Sequence, residues 1–178
     1  MPFPGARTAT ASRIIGNSVA ELYPLFADVN NVVKWNAGVK SIDLLSTNPS
    51  GVGASRRCHL SDGTSVKEEC IQAVENSKIL MQMSEFSLPL SNLQMQIDLE
   101  VVSEASTKVT FTMFYKMKYG FVGSILHALA GVNKNLTTAC TKFGAGVSRH
   151  ARTGETVGAD FKPEEEPFFD GKKSVTTN

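Results

Sequence analysis

The sequence has no CxxC pair, no closely spaced histidines, a single tryptophan and almost no surplus of charge of either sign. Each absence removes a class of function. Cys58, Cys70 and Cys140 are odd in number and far apart, which argues against a disulfide framework and against a zinc site and leaves buried thiols. With 18 Lys+Arg against 17 Asp+Glu, the net charge of +1 creates no field that would gather nucleic acid or an anionic membrane. No stretch approaches the ~18 uninterrupted apolar residues of a membrane span. Met1–Thr10 lacks the apolar core of a secretion signal. The expectation is a cytoplasmic protein with no stable membrane insertion, no metal and no cofactor.

What is present is enough apolar material for one core: 178 residues, 42% of them hydrophobic. A β-capable segment from Thr8 ends at Gly16-Asn17-Ser18, where Ser18 and Glu21 have capping-box spacing and announce a helix. Val19, Leu22, Tyr23 and Phe26 recur at helical spacing around Pro24. Asp28 and Asn30-Asn31 break that pattern before a second short turn with Val32, Val33 and Trp35, so this element is predicted in two pieces. From Val39 the chain changes to strand-length segments, about 39–46, 53–61, 64–75, 78–86, 93–103 and 107–118. Turn chemistry separates them at Asn48-Pro49-Ser50-Gly51, Ser61-Asp62-Gly63, Glu75-Asn76-Ser77 and Glu104-Ala105-Ser106, and Asp62-Gly63 suggests a primed hairpin turn.

Two strands alternate cleanly. Leu93, Met95, Ile97, Leu99 and Val101 on one, and Val109, Phe111, Met113, Tyr115 and Met117 on the other, are predicted to line one concave face. Val122, Ile125, Leu126, Leu129, Val132, Leu136, Cys140, Phe143 and Val147 then predict a long amphipathic helix to about His150, with Gly131, Gly144 and Gly146 inside it for a reason of packing or bending. The domain plan is a 1–7 extension, an 8–153 ligand-binding domain and a 154–178 tail. The tail is acidic, with Glu155, Asp160, Glu164, Glu165, Glu166 and Asp170 against Lys162, Lys172 and Lys173, and is expected to stay disordered.

This order of elements resembles the helix-grip fold of the START-related superfamily, in particular its polyketide cyclase/dehydrase and lipid-transport (SRPBCC) branch. The resemblance covers about residues 8–150. It rests on Asn17-Ser18-Val19 through Leu22, on Ala27-Asp28-Val29 followed by Lys34-Trp35, and on Gly51-Val52-Gly53-Ala54-Ser55-Arg56 opening a strand. Gly51-x-Gly53 is no nucleotide loop, because a strand follows where a phosphate site requires a helix N-terminus. The resemblance implies an α+β fold in which a curved antiparallel sheet of about seven strands wraps the C-terminal helix and encloses an apolar cavity. It does not specify the contents.

Several residues are candidates to line that cavity. Met81, Met83, Met95 and Met113, with Ile97, Phe111, Leu126 and Leu129, either fill a core or adapt to an irregular apolar ligand. Arg56 shares parity with Ala54, Cys58 and Leu60 and so points inward, where it needs a ligand anion or a carboxylate. Glu68 or Glu69 would supply the latter. His59 falls on the outer parity, and His150 at the helix end suits the helix dipole. Tyr115 and His127 are weak candidates for proton transfer, and Trp35 is either a rim residue or an anchor. The leading expectation is binding or transport of a small hydrophobic ligand, with Arg56 and Tyr115 orienting it. A cyclase/dehydrase-type enzyme is the alternative. An adaptor that engages a protein through the Phe168-Phe169 tail is the third reading.

Overall fold

Short polar connections between alternating segments leave the chain little choice but an antiparallel meander, and the strands pair accordingly. The computed structural model describes residues 3–118 and 131–169. After β1 (Arg7–Ile15) come α1 (Val19–Ala27), a 3-10 turn (Val29–Asn31) and α2 (Val32–Trp35). The meander follows as β2 (Val39–Leu44), β3 (Ser55–Leu60), β4 (Ser65–Val74), β5 (Lys78–Ser84), β6 (Leu90–Ser103) and β7 (Ser106–Met117). Then α3 (Val132–Thr153) leads to a 3-10 turn at Pro163–Glu165. The seven strands form one sheet in the order β1-β7-β6-β5-β4-β3-β2, so the first strand joins the last and β2 is left at the far edge.

Local chemistry explains the joints. Ser18 and Glu21 form the full capping box at the start of α1, and Asp28 caps the next turn by accepting from Asn30 N–H at 2.8 Å. Gly63 takes φ +85°, as Asp62-Gly63 suggested, but the loop is a three-residue one. Leu60 N–H donates to Thr64 O at 2.8 Å, Gly63 N–H donates to Leu60 O at 3.0 Å, and Asp62 Oδ1 accepts from Thr64 N–H at 2.9 Å. A left-handed glycine after an ordinary turn serves the hairpin as well as a primed pair would.

The concave face holds nine of the ten residues expected on it. Val101 is the exception, 72% exposed, because it pairs with Thr107 near the tip of the β6–β7 hairpin, beyond the end of the β5 ladder at Lys78 and Asp98. The helix α3 crosses this face over β1 and β7 and touches α2. Its first residue follows Gly131, so the expected helix is seen from Val132, and Val122 to Ala130 lie outside the described residues. Gly146 has the packing reason the sequence hinted at. A Cβ there would sit 2.0 Å from Trp35 O, so only glycine lets α3 approach the end of α2 this closely.

Residues 154–169 correct the expectation of a disordered tail. Val157 and Glu166 are buried, Val157 N–H donates to Lys34 O at 2.8 Å, and Glu166 is held by Ser148 and Arg152. The expectation weighed apolar area alone. The segment is held instead by charge-assisted hydrogen bonds to side chains of the domain. Residues 170–178 lie outside the described residues.

Gly146→Ala is expected to lower stability by about 3 kcal/mol, the upper range for forcing volume into a packed contact, because the atom it meets is backbone and cannot rotate away. Urea unfolding measures this, and Gly158→Ala, where no atom lies near the added Cβ, is the control.

Candidate functional site

Cross-strand register arranges the inward side chains in three rows. The first runs Arg56, Glu68, Met83, Leu93, Tyr115 across β3 to β7. The second runs Cys70, Met81, Met95, Met113, Ala9 from β4 round to β1. The third holds Ile79, Ile97 and Phe111. Directly opposed residues on one face of an antiparallel pair are in side-chain contact range, so each row is a continuous strip of surface. The face thus grades from a strip with polar ends, through thioethers, to an aromatic end.

Trp35 closes the aromatic end. It is 2% exposed, its indole N–H donates to Leu25 O at 3.2 Å, and its ring lies within 5.7–6.1 Å of Phe26, Phe111 and Phe143. Such edge and tilted contacts add to area burial and fix the rings relative to one another. Trp35 is therefore an anchor rather than a rim residue.

At the opposite edge of the first row, Arg56 and Glu68 form a buried ion pair. The Arg56 Nε–H donates to Glu68 Oε2 at 2.8 Å, its Nη2 bonds the same oxygen, and its Nη1 donates to Val29 O. Burial pulls the guanidinium pKa down, and the Glu68 carboxylate, with Cys58 beside it, more than reverses this, so Arg56 stays charged. Glu69 is exposed on the outer face, which settles the ambiguity at Lys67-Glu68-Glu69. The charge of Arg56 is answered within the chain. Its geometry is that of a structural pair joining β3 and β4 to the turn after α1, not that of an anchor for a ligand anion.

Tyr115 is fully buried at the other end of the row. Its hydroxyl accepts from Asn133 Nδ2 at 3.1 Å, and the same nitrogen donates to Thr8 O at 2.7 Å. Asn133 lies in the first turn of α3 and the sequence reading passed over it, since a polar residue beside an apolar stripe carries no spacing signal. Met81, Met83, Met95, Met113, Ile97 and Phe111 are all buried on the face. Leu126, Leu129 and His127 lie outside the described residues. His59 is on the outer face, 2.8 Å from Asp43, and His150 Nδ1 lies 2.8 Å from Glu155 O.

Among the described residues no group of His, Cys, Asp and Glu could hold a metal ion, and no helix is long and apolar enough to cross a membrane. The three cysteines are buried and unpaired. Burial, with Glu68 adding negative charge, pushes the Cys58 thiol up to about 12, and burial pushes Cys140 up to about 11.

No family model and no curated protein sequence matches the chain. Solved structures match it over most of its length. A START superfamily protein from Mycobacterium smegmatis superposes with a TM-score of 0.61 at 14% identity, covering 82% of this chain and 99% of that one. This chain has the helix-grip fold. Norcoclaurine synthase from Thalictrum flavum, in complex with dopamine and hydroxybenzaldehyde, gives 0.60 at 14% identity over 81% of this chain and 85% of its own. The di-domain ARO/CYC protein BexL gives 0.63 at 17% identity over 81% of this chain and 47% of its own. At these identities the likeness is one of fold, and it is to ligand-binding and polyketide-cyclase representatives of that fold.

Three measurements test the site. Removing one partner of a buried pair strands the other, so Arg56→Met is expected to cost about 3–5 kcal/mol, and a double-mutant cycle with Glu68→Gln to show coupling well above 0.5 kcal/mol, with none for Glu69→Gln. The thiols supply a pH signature. A thiol that ionises near its ordinary value of 9.0 when unfolded and at about 12 when folded is the form that keeps its proton longer in the native state. The unfolded state then binds fewer protons across that window, so stability should fall as pH rises from about 9 towards 12, and Cys58→Val should flatten the slope. Iodoacetamide should leave the native thiols unlabelled at a pH of about 8 and modify all of them in urea.

Proposed function

We propose that the chain binds a small, mainly apolar and uncharged molecule between the concave face and α3. The observation that carries this reading is the Cys70, Met81, Met95, Met113 strip together with the seat of α3. The helix lies over β1 and β7, whereas Met81 and Met83 lie on β5, towards the other side of the sheet. Thioethers have flexible, polarisable side chains that conform to irregular apolar shapes, which suits a ligand surface better than a uniquely packed core. The neutralised Arg56 argues for a ligand without an anionic end, so the expectation that Arg56 orients the ligand gives way to Tyr115 and Asn133 as the polar landmarks of the site. The fold supports the reading, since the solved relatives include a synthase holding two small aromatic molecules. Three buried, unpaired thiols fit a reducing compartment, and we place the protein in the cytoplasm.

A cyclase/dehydrase-type activity is the second reading. The Tyr115–Asn133 hydrogen bond favours it, because it fixes the buried phenol on the apolar face as a proton-transfer group requires. Tyr115→Phe separates the two readings: probe affinity unchanged with any turnover abolished marks an enzyme.

Titration with the neutral fluorescent probe N-phenylnaphthylamine is expected to give saturable binding to the folded chain. Met83→Trp should abolish it and cost less than about 1 kcal/mol of stability, because the indole fills open space rather than packed core. No saturable binding by wild type, with Met83→Trp costing about 3 kcal/mol, would show a filled core and sink the proposal.

A further inference from the structure

After α3 the chain turns back along the outer edge of the domain, and its end is read by side chains from two elements. Arg13 on β1 is 7% exposed and its Nη2 donates to Glu166 O and to Pro167 O, both at 2.7 Å. The Glu166 carboxylate, on a residue 4% exposed, accepts from Ser148 Oγ at 2.9 Å and from Arg152 Nη2 at 2.9 Å and Nε at 3.3 Å, both donors on α3. The Arg13 guanidinium stands 4.2 Å from the centre of the Phe168 ring, and the Phe169 ring lies where a Cβ on Gly16 would be, 2.7 Å from it. Two backbone carbonyls, one carboxylate and two aromatic rings are thus recognised in consecutive residues.

We propose that the groove between β1 and the C-terminal half of α3 is a peptide-binding site selective for an extended Glu-Pro-Phe-Phe segment, and that residues 166–169 are its tethered, dissociable occupant. The chemistry of the groove sets the selectivity. With the segment removed, Arg13 and Arg152 both lose the Glu166 carboxylate, Arg152 keeps Glu155 nearby, and Arg13 Nε already lacks a hydrogen-bond partner. An acidic side chain followed by exposed carbonyls is what such a surface requires.

Dissociation follows from how little else holds the segment. Between Glu155 and Phe169 only Val157 and Glu166 are buried, and Phe168 is 77% exposed. An open pocket of about 280 Å³, lined in part by Val157, Phe161, Lys162, Glu165 and Glu166 of the segment with Arg149 of α3, shows that the segment's own turns are not closely packed. A short tether gives an effective concentration of the order of millimolar, so a weak intrinsic affinity keeps the groove filled and still permits release. Arg13 lies one register step beyond Phe111, at the margin of the concave face, and the proposal does not depend on what fills that face.

The test uses the full chain carrying Glu166→Arg, which places a cation against Arg152 and empties the groove, and a fluorescein-labelled peptide spanning residues 159–169. Anisotropy is expected to show saturable binding at least ~10-fold tighter than to wild type, whose groove is filled in cis. A peptide with Gln in place of Glu166 should bind ~10-fold more weakly, and Arg152→Ala added to the chain should cause a similar loss. Absence of saturable binding to a natively folded Glu166→Arg chain, or equal affinity for the Glu and Gln peptides, overturns the proposal. If that variant does not fold, hydrogen exchange on wild type decides: amides of 164–169 exchanging at least ~10-fold faster than those of β1 and α3 support a dissociable occupant, and equal protection shows an integral element and overturns it.

Discussion

The buried pair of Arg56 and Glu68 is the constraint around which the open side of the sheet is organised. Two charges taken out of water are costly, and they persist only because each meets the other and Arg56 also reaches Val29 O. Those three contacts tie the β3–β4 ladder to the turn between α1 and α2, which Val29 N–H also joins to Pro49 O at 2.8 Å. The broken helical element rests on the sheet through this pair, through the buried Leu22, Val29 and Val32, and through Trp35 and its aromatic neighbours. The same pair decides the character of the concave face, since it leaves an inward cation already neutralised and the surface beside it apolar.

From that fixed edge the face changes character in an ordered way. Met83 and Leu93 separate the ion pair from Tyr115, the thioether strip follows, and Phe111 leads to Trp35, Phe26 and Phe143. Rigid rings close one end and conformable side chains occupy the middle. A stiff surface grading into an adaptable one suits a molecule gripped at one end and tolerated in several shapes along its length. Catalysis asks for more, namely a fixed polar constellation, and on the described part of the face the bond between Tyr115 and Asn133 supplies one apart from the Arg56–Glu68 pair, whose charges already answer each other.

Period-two alternation made β6, β7 and the concave residues legible, and a helix-length stripe did the same for α3. Arg56 could be placed inward by parity with Cys58. Its partner could not, because Lys67, Glu68 and Glu69 are all charged and show no apolar–polar alternation, although the strand itself alternates, with Val66, Glu68 and Cys70 buried. Val101 obeyed the pattern and is nonetheless exposed, since parity gives a direction and not the extent of the neighbouring strand. The role of Gly146 was open to sequence reasoning only as a suspicion. Its cause, the Trp35 carbonyl, is brought close by tertiary packing. Asn133 and the docking of the segment after α3 carry no local signal, because the bonds that define them include ones between residues more than a hundred positions apart, as between Arg13 and Glu166 and between Asn133 and Thr8.

The docked segment also bears on how the concave face is reached. Val157 lies beside Gly146, whose approach to Trp35 fixes α3 against α2, and the Val157 amide bonds Lys34 O next to Trp35. Helix, returning segment and aromatic cluster therefore converge on one end of the face and lock it. Motion that admits a ligand must break the fewest of these contacts, which directs the proposed ligand's route away from this locked end, towards the end of the face marked by Met117 on β7. The closed aromatic base is a property of the helix packing: the glycine that permits the close helix contact sits three residues from the ring that completes the base, so tightening one tightens the other.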